Sequence, residues 1–146
     1  LEQRNAADSA FVPILAGGVP NHLRQFALHK IVPLAAGSPY PWLAPQSLAA
    51  TELVLIPDTT TTGSTGGATE WTFQVKNHTQ TLDLLATVWG TGTDAELASK
   101  VATVITLDQN LSVSANDVLE LVVAKIGSPT AVGNVWAYLR GTLVGA

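Results

Sequence analysis

Apolar and polar residues alternate at a period of two in the second half of the chain, which is the spacing of a strand with one buried face. The clearest stretch is residues 71–78, where Trp71, Phe73 and Val75 fall on the same face. After turn-forming residues, the stretch 82–88 continues the same period. Its apolar members are Leu82, Leu84, Ala86 and Val88. The two stretches predict a hairpin that buries these side chains.

Further apolar stretches predict more strands, separated by Gly, Pro, Asn and Asp. They cover residues 23–34, 48–56, 101–107, 117–126 and 134–144. Residues 117–126 are apolar on both faces, which indicates a central strand. No long segment has a helical period, and residues 94–99 allow only a short helical turn. The chain is therefore predicted to be all-β, with a single jelly-roll or β-sandwich domain.

Two segments between the predicted strands have a loop-like composition. Residues 59–68 are rich in Thr, Gly and Ser and contain no core-forming residue, which predicts an exposed, mobile loop. Residues 37–45 contain three prolines, which favour a stiff extended loop. This loop carries Tyr40 and Trp42. Because no strand face is predicted to bury Trp42, we expect a partner contact there, with burial in its own domain or sugar stacking as alternatives.

The N-terminal residues 1–20 are predicted to form an extended arm, followed by the β domain at 21–146. The arm is first polar and then apolar, and Pro13 disfavours a helix within it. The alternative is a first edge strand packed on its own domain. The apolar arm residues are Phe11, Val12, Ile14 and Leu15.

Charge is scarce along the whole chain. Charged residues make up 12% of the 146 residues and apolar residues 47%, whereas about 25% charged is usual in soluble domains. Such a surface does little to oppose association, which predicts burial in an oligomer or larger assembly. The alternative is an ordinary surface built from Thr, Ser, Asn and Gln. The net charge of −4 and the scattered basic residues argue against nucleic-acid binding, and no apolar run is long enough for a membrane span.

The sequence contains no recognisable catalytic or metal-binding motif. There is no cysteine, and His22, His29 and His78 lack the spacing of metal ligands. Carboxylates that could in principle form a glycosidase pair are Asp83, Asp94, Glu96, Asp108 and Asp117. Asp94, Asp108 and Asp117 stand in turn-like contexts, which favours local hydrogen bonds instead. We therefore expect no catalytic residue, no metal and no cofactor.

Residues 113–129, followed by 134–139, resemble the closing strands of bacteriophage head-decoration, or cement, proteins. The upstream hairpin from Trp71 to Trp89 is consistent with that pattern, so the resemblance covers roughly residues 69–144. The shared pattern is a polar turn, an Asp, a long apolar strand and Gly-Ser-Pro, and a similar pattern occurs in phage fibre domains. Related proteins often have Gly before the Asp. This chain has Asn116 there, which also tolerates the left-handed conformation, so the turn is expected to survive.

The resemblance implies a jelly-roll subunit, commonly trimeric, that binds the outer surface of the capsid and stabilises the shell. The implied partners are the major capsid protein and further copies of the chain, with the arm reaching over neighbouring subunits. The expected contact residues are Phe11, Val12, Ile14, Leu15, Tyr40 and Trp42. The alternative is a receptor- or carbohydrate-binding jelly roll of a phage fibre, with Trp42 or Trp89 as the stacking surface.

Overall fold

The computed structural model describes residues 25–33, 39–64, 66, 68–129 and 133–144, and within these ranges every regular element is a β-strand. The strands are β1 Gln25–Pro33, β2 Pro39–Leu43, β3 Leu48–Pro57, β4 Glu70–Asn77, β5 Leu82–Asp83, β6 Trp89–Gly90, β7 Thr103–Thr106, β8 Ser112–Val113, β9 Val118–Ile126 and β10 Asn134–Leu143. The all-β prediction is confirmed.

The strands form two antiparallel sheets that pack face to face. Sheet I has the order β1-β10-β3-β7, with β8 also paired to β3. Sheet II has the order β2-β9-β4-β5, with β6 also paired to β4. The chain alternates between the sheets over β1 to β4, and the last two long strands return between them, β9 between β2 and β4 and β10 between β1 and β3. This order is a jelly roll, as the sequence predicted.

The predicted alternation holds in the strands that form the core. Trp71, Phe73 and Val75 of β4 are 6%, 0% and 0% exposed. Strand β9 lies in the middle of sheet II, which explains why Val118 and Val122 on its outer face are also half-buried. In β10 the buried residues are Val135, Ala137 and Leu139, while Trp136 and Tyr138 between them face outward. These residues join the two sheets into one core.

The hairpin after β4 is much shorter than predicted. Within the predicted stretch 82–88, only Leu82 and Asp83 form a strand paired with β4, after which the adjacent Leu84 and Leu85 are both buried. The predicted single buried face is therefore wrong at Leu82, Ala86 and Val88, which are all exposed, Val88 by 44%.

The physical reason for the short hairpin is the side chain of Gln74. Its Oε1 accepts a hydrogen bond from the Leu85 N–H at 3.1 Å, and its Nε2 donates to the Leu85 carbonyl at 3.0 Å. One side chain thus takes the place of a strand neighbour and turns residue 85 into the core. Such a side chain to backbone exchange leaves no periodic mark in a sequence.

The proline-rich segment forms a strand and not a loop. Pro39–Leu43 is β2, at the edge of sheet II, where the missing N–H groups of Pro39 and Pro41 are tolerated. Trp42 lies opposite Leu119 and is only 5% exposed, within the domain's own core. The partner contact expected at Trp42 is corrected accordingly, and the alternative of burial in its own domain is the one observed.

The Thr-rich segment is mostly exposed where the structure describes it, but Thr61 packs into the domain. Thr61 is fully buried, and its backbone exchanges hydrogen bonds with Leu97 at 2.8 and 2.9 Å. Ser99 adds two more, from its Oγ to the Asp58 carbonyl at 2.7 Å and from its N–H to the Thr60 hydroxyl at 3.1 Å. The expectation of a loop without a core residue is wrong at Thr61. The segment that contains Leu97 and Ser99 has no helix between residues 94 and 99, where the sequence allowed a short helical turn.

Asp117 holds together one end of sheet II. Its Oδ2 accepts hydrogen bonds from Asn77 Nδ2 at 2.7 Å, from Gln80 Nε2 and from the Ser114 N–H at 2.9 Å, and the residue is 4% exposed. Burial alone raises the pKa of this carboxyl, but the hydrogen bonds from Asn77, Ser114 and Gln80 outweigh burial, so the pKa lies below its ordinary value. The prediction that this Asp makes local hydrogen bonds is confirmed.

The turn before β9 allows a direct test of backbone strain. Asn116 has a φ of 70°, as its replacement of Gly led us to expect. The variant Asn116→Val should lower the free energy of unfolding by about 1–2 kcal/mol, because a branched side chain is disfavoured in the left-handed region. Asn116→Gly is the control and should be close to the parent. Urea unfolding followed by tryptophan fluorescence measures both, and equal midpoints for all three proteins would contradict the strain.

Candidate binding cleft

An open cleft lies on one side of the sandwich, where edge strand β7 of sheet I faces residues 85–89 of sheet II. Its volume is about 320 Å³, at the lower end of the roughly 300–1,000 Å³ usual for ligand pockets. Leu85 and Ile105 form its base and are 4% and 5% exposed. Val88 and Val104 lie on its two sides and are 44% and 51% exposed. The two valines present apolar surface to solvent, within a cleft whose exposed lining is more polar than apolar.

Trp89 supplies the aromatic surface of the cleft. It belongs to β6, opposite Phe73 of β4, and the two rings lie 6.0 Å apart with a tilt of 51°. The core-side contact with Phe73 fixes the indole, while the half-buried remainder lines the cleft. A tryptophan held in this way offers a large contact area at little further cost in side-chain entropy.

Two exposed carboxylates make the cleft acidic. Asp94 Oδ2 accepts a hydrogen bond from the Gly90 N–H, and Asp108 Oδ1 accepts one from the Ala86 N–H, both at 2.7 Å. Each carboxylate is thereby positioned through one oxygen. No basic side chain is among the described residues that line the cleft. The cleft accordingly favours a ligand that carries positive charge or hydrogen-bond donors.

The turn that carries Asp94 is held by the buried carboxylate of Glu70. Glu70 Oε2 accepts hydrogen bonds from the N–H groups of Gly92 and Thr93 at 3.0 and 2.9 Å, and Oε1 accepts one from the Thr93 hydroxyl at 3.0 Å. A Cβ on Gly90 would lie 2.0 Å from Glu70 Oε2, so any other residue would displace the carboxylate from its present position. The cleft is therefore built on a fixed turn.

The pKa of Glu70 reflects this arrangement. Burial, which leaves the residue 4% exposed, by itself raises the pKa, but the hydrogen bonds from Thr93 and Gly92 stabilise the ionised form and outweigh burial. The pKa consequently lies below its ordinary value. Glu70 is therefore ionised at neutral pH, and the fixed turn depends on that charge.

Of the contact residues expected from the sequence, the two that the structure describes do not line this cleft. Tyr40 is half-buried in β2, at the opposite edge of sheet II, and Trp42 beside it is buried. The arm residues Phe11, Val12, Ile14 and Leu15 lie outside the described residues. Sequence reasoning named Trp89 as a stacking candidate but missed Val104. The available signal was the run of β-branched residues in Thr103–Thr106.

The described residues contain no group of three or more His, Cys, Asp or Glu side chains that could hold a metal ion. Within those ranges there is also no helix long and apolar enough to cross a membrane.

No protein-family model and no curated protein matches the chain. Similar solved structures come from infectious bursal disease virus. The virus of the Gx strain matches at 11% identity and a TM-score of 0.35, over 84% of this chain and 33% of that one. The VP2 subviral particle matches at 12% identity and a TM-score of 0.27, over 81% and 31%. The chain spans about a third of the matched chains' length. At these values the likeness carries no argument, and the jelly-roll assignment rests on the strand order.

The Glu70 carboxylate gives a pH-dependent prediction. Glu70→Gln should lower the free energy of unfolding at pH 7 by about 1–3 kcal/mol, because the amide cannot accept all three hydrogen bonds. A lowered folded-state pKa stabilises the fold above the ordinary value of 4.5 and ceases to do so as the pH falls through the folded pKa. The difference in the free energy of unfolding between the parent and Glu70→Gln should therefore shrink below about pH 4.5. Urea unfolding from pH 7 to pH 3 measures it, and a difference independent of pH would contradict the role of the charge.

Proposed function

We propose that this chain is a structural virion protein, a decoration protein that binds the outer surface of a bacteriophage head and stabilises the shell without catalysing a reaction. The proposed partners are the major capsid protein and two further copies of the chain in a homotrimer. The observation that carries the proposal is the exposure of large apolar side chains. They are Leu43, Leu82, Val88, Val101, Val104, Ile126 and Val144, between 39% and 59% exposed.

Scattered exposed apolar residues are normal, so their arrangement matters more than their presence. On the outer face of sheet I, Tyr138 lies opposite Val54, and Val54 lies opposite Val104. The adjacent row pairs Trp136 with Ile56. Val54 itself is 1% exposed, so the surface of this outward face is formed by the half-buried Tyr138, Trp136 and Ile56 and the exposed Val104, where a solvated sheet face usually carries polar side chains. Aromatic and aliphatic surface of this kind favours contact with protein.

The resemblance in residues 113–129 and 134–139 supports a capsid as the surface that is bound. In the structure these residues form β8, β9 and β10, and the Asp117 turn has the expected left-handed Asn116. A trimer over several capsid subunits would multiply individually weak contacts. The arm residues Phe11, Val12, Ile14 and Leu15, together with Tyr40, are proposed to add to this contact.

The test uses the full-length chain and heads of the corresponding phage prepared without it. We expect light scattering to give a trimer, and the chain to co-sediment with the heads. The double variant Phe11→Ala, Ile14→Ala should bind at least about tenfold more weakly, since each large truncation removes more than about 1 kcal/mol at an anchoring contact. Thr62→Ala, at an exposed side chain outside the apolar set, is the control and should bind like the parent. A monomer that does not sediment with heads would contradict the proposal.

Carbohydrate binding is the second candidate, and the position of Trp89 in the acidic cleft favours it. An indole beside Asp94 and Asp108 could stack on a sugar ring while the carboxylates accept hydrogen bonds from hydroxyl groups. This candidate predicts saturable binding on a glycan array, and loss of that binding in Trp89→Ala. Trp89→Phe, which retains a ring against Phe73, is the control for folding. Absence of binding across the array would eliminate it.

A further inference from the structure

Strand β7 is an unprotected sheet edge. Among the described residues it pairs with β3 alone, on one side, and its four residues are Thr103, Val104, Ile105 and Thr106. All four are β-branched, and none is charged or a proline. Natural proteins usually protect such edges against pairing with another chain by charge, proline, bulges or short length. Strand β7 has no charge, proline or bulge, and its four residues make it longer than the two-residue strands of the described part of the chain.

The other edge strands of the described residues are protected. Strand β2 contains Pro39 and Pro41, and β1 contains Lys30 and ends at Pro33. Strands β5, β6 and β8 are two residues long. Each therefore has at least one feature that discourages strand addition. The contrast singles out β7 within the part of the chain that the structure describes.

The backbone of β7 is oriented for an additional strand. The Leu107 N–H donates to the Thr51 carbonyl at 2.9 Å, so this pair is a hydrogen-bonded pair of the antiparallel ladder. Hydrogen-bonded and non-hydrogen-bonded pairs alternate along such a ladder. With Thr106 opposite Glu52 and Val104 opposite Val54, Val104 and Thr106 direct their N–H and C=O groups away from β3. These groups face the open side of the sheet.

The surroundings of this edge select a type of partner. Val104, Ile105 and Thr106 line the cleft, with Trp89 across from them. Asp94 and Asp108 also line it, and no basic side chain does so among the described residues. An extended segment in the cleft would gain backbone hydrogen bonds, apolar contacts and neutralisation of the two carboxylates.

We propose that β7 and its cleft bind an extended, lysine- or arginine-bearing segment of a partner protein by β-strand addition. The charge decides against a second copy, because pairing β7 with β7 would bring two acidic clefts together in a chain of net charge −4. The free backbone groups also argue against a sugar, because a sugar has no peptide backbone with which to continue the ladder of hydrogen bonds. The inference goes beyond the proposed function and holds for any partner protein.

The test uses the full-length, ¹⁵N-labelled chain and a synthetic blocked peptide, Thr-Lys-Val-Lys-Thr-Lys-Thr, with a matched peptide in which Glu replaces every Lys. We expect amide shifts in Thr103–Thr106 and residues 85–89 with the Lys peptide, and weaker shifts with the Glu peptide. The double variant Asp94→Asn, Asp108→Asn should remove this preference.

Two variants probe the strand edge itself. Val104→Pro removes only an outward N–H and should fold, since proline is tolerated on the open side of an edge strand. It should weaken peptide binding about tenfold, as expected for one lost hydrogen bond and a blocked approach. Val104→Lys should do the same by charge, and Val144→Lys is its control, because Val144 is 58% exposed outside the cleft.

Several results would overturn the inference. They are no amide shift at Val104 and Thr106, equal affinity for the two peptides, or unchanged binding by Val104→Pro and Val104→Lys. A dimer that Val104→Lys dissociates in light scattering would replace the peptide with a second copy. Displacement of the peptide by an oligosaccharide, with sensitivity to Trp89→Phe alone, would assign the cleft to sugar. None of these readouts involves phage heads, so they are independent of the capsid test.

Discussion

Strand β4 is fixed at both ends by a buried carboxylate, and the rest of the fold depends on these two clamps. At its start, Glu70 accepts three hydrogen bonds from Gly92 and Thr93. At its end, Asn77 donates to the carboxylate of Asp117, which also binds the turn before β9. A buried carboxylate is destabilising unless donors surround it. Here the donors are neutral amide and hydroxyl groups, most of them in turns, so the charges of Glu70 and Asp117 stabilise the turns that surround them.

The two clamps explain how a sheet of short strands holds a defined cleft. Strand β4 pairs with β9 along its whole length, but β5 and β6 contribute only two residues each. The segment that carries Trp89 and Asp94 is thus positioned mainly by side chains: Glu70 fixes the turn after β6, and Gln74 fixes residue 85. The shape of the cleft follows from these buried polar contacts and not from an extended ladder, and the Glu70 contact depends on the ionised carboxylate.

Much of the fold could be predicted because the type of each side chain largely determines whether it is buried or exposed in a strand or turn. The alternation in β4, the two apolar faces of β9 and the left-handed position of Asn116 are local consequences of side-chain type. The failures have non-local causes. Leu85 turns into the core because Gln74 binds its backbone, and Thr61 is buried because its backbone pairs with that of Leu97. Trp42 enters the core because the proline-rich segment around it forms an edge strand of sheet II. Likewise, the cleft joins residues of two sheets, and nothing in the sequence indicates that β7 faces Trp89.

Strand β7 contains no charged residue, and charged residues make up only 12% of the chain, so the few charges near this edge determine what can approach it. The charged residue nearest to β7 in sheet I is Glu52, opposite Thr106, and its carboxylate pairs with Arg140 at 3.3 Å on the side toward β10. That charge therefore does not protect the edge. The remaining nearby charges, Asp94 and Asp108, line the cleft and act on whatever approaches β7. They repel acidic chains, including further copies of this one, and attract basic ones. Pairing at β7 is thereby restricted by the sign of the incoming charge, which selects among partners where proline or a short strand would exclude all of them.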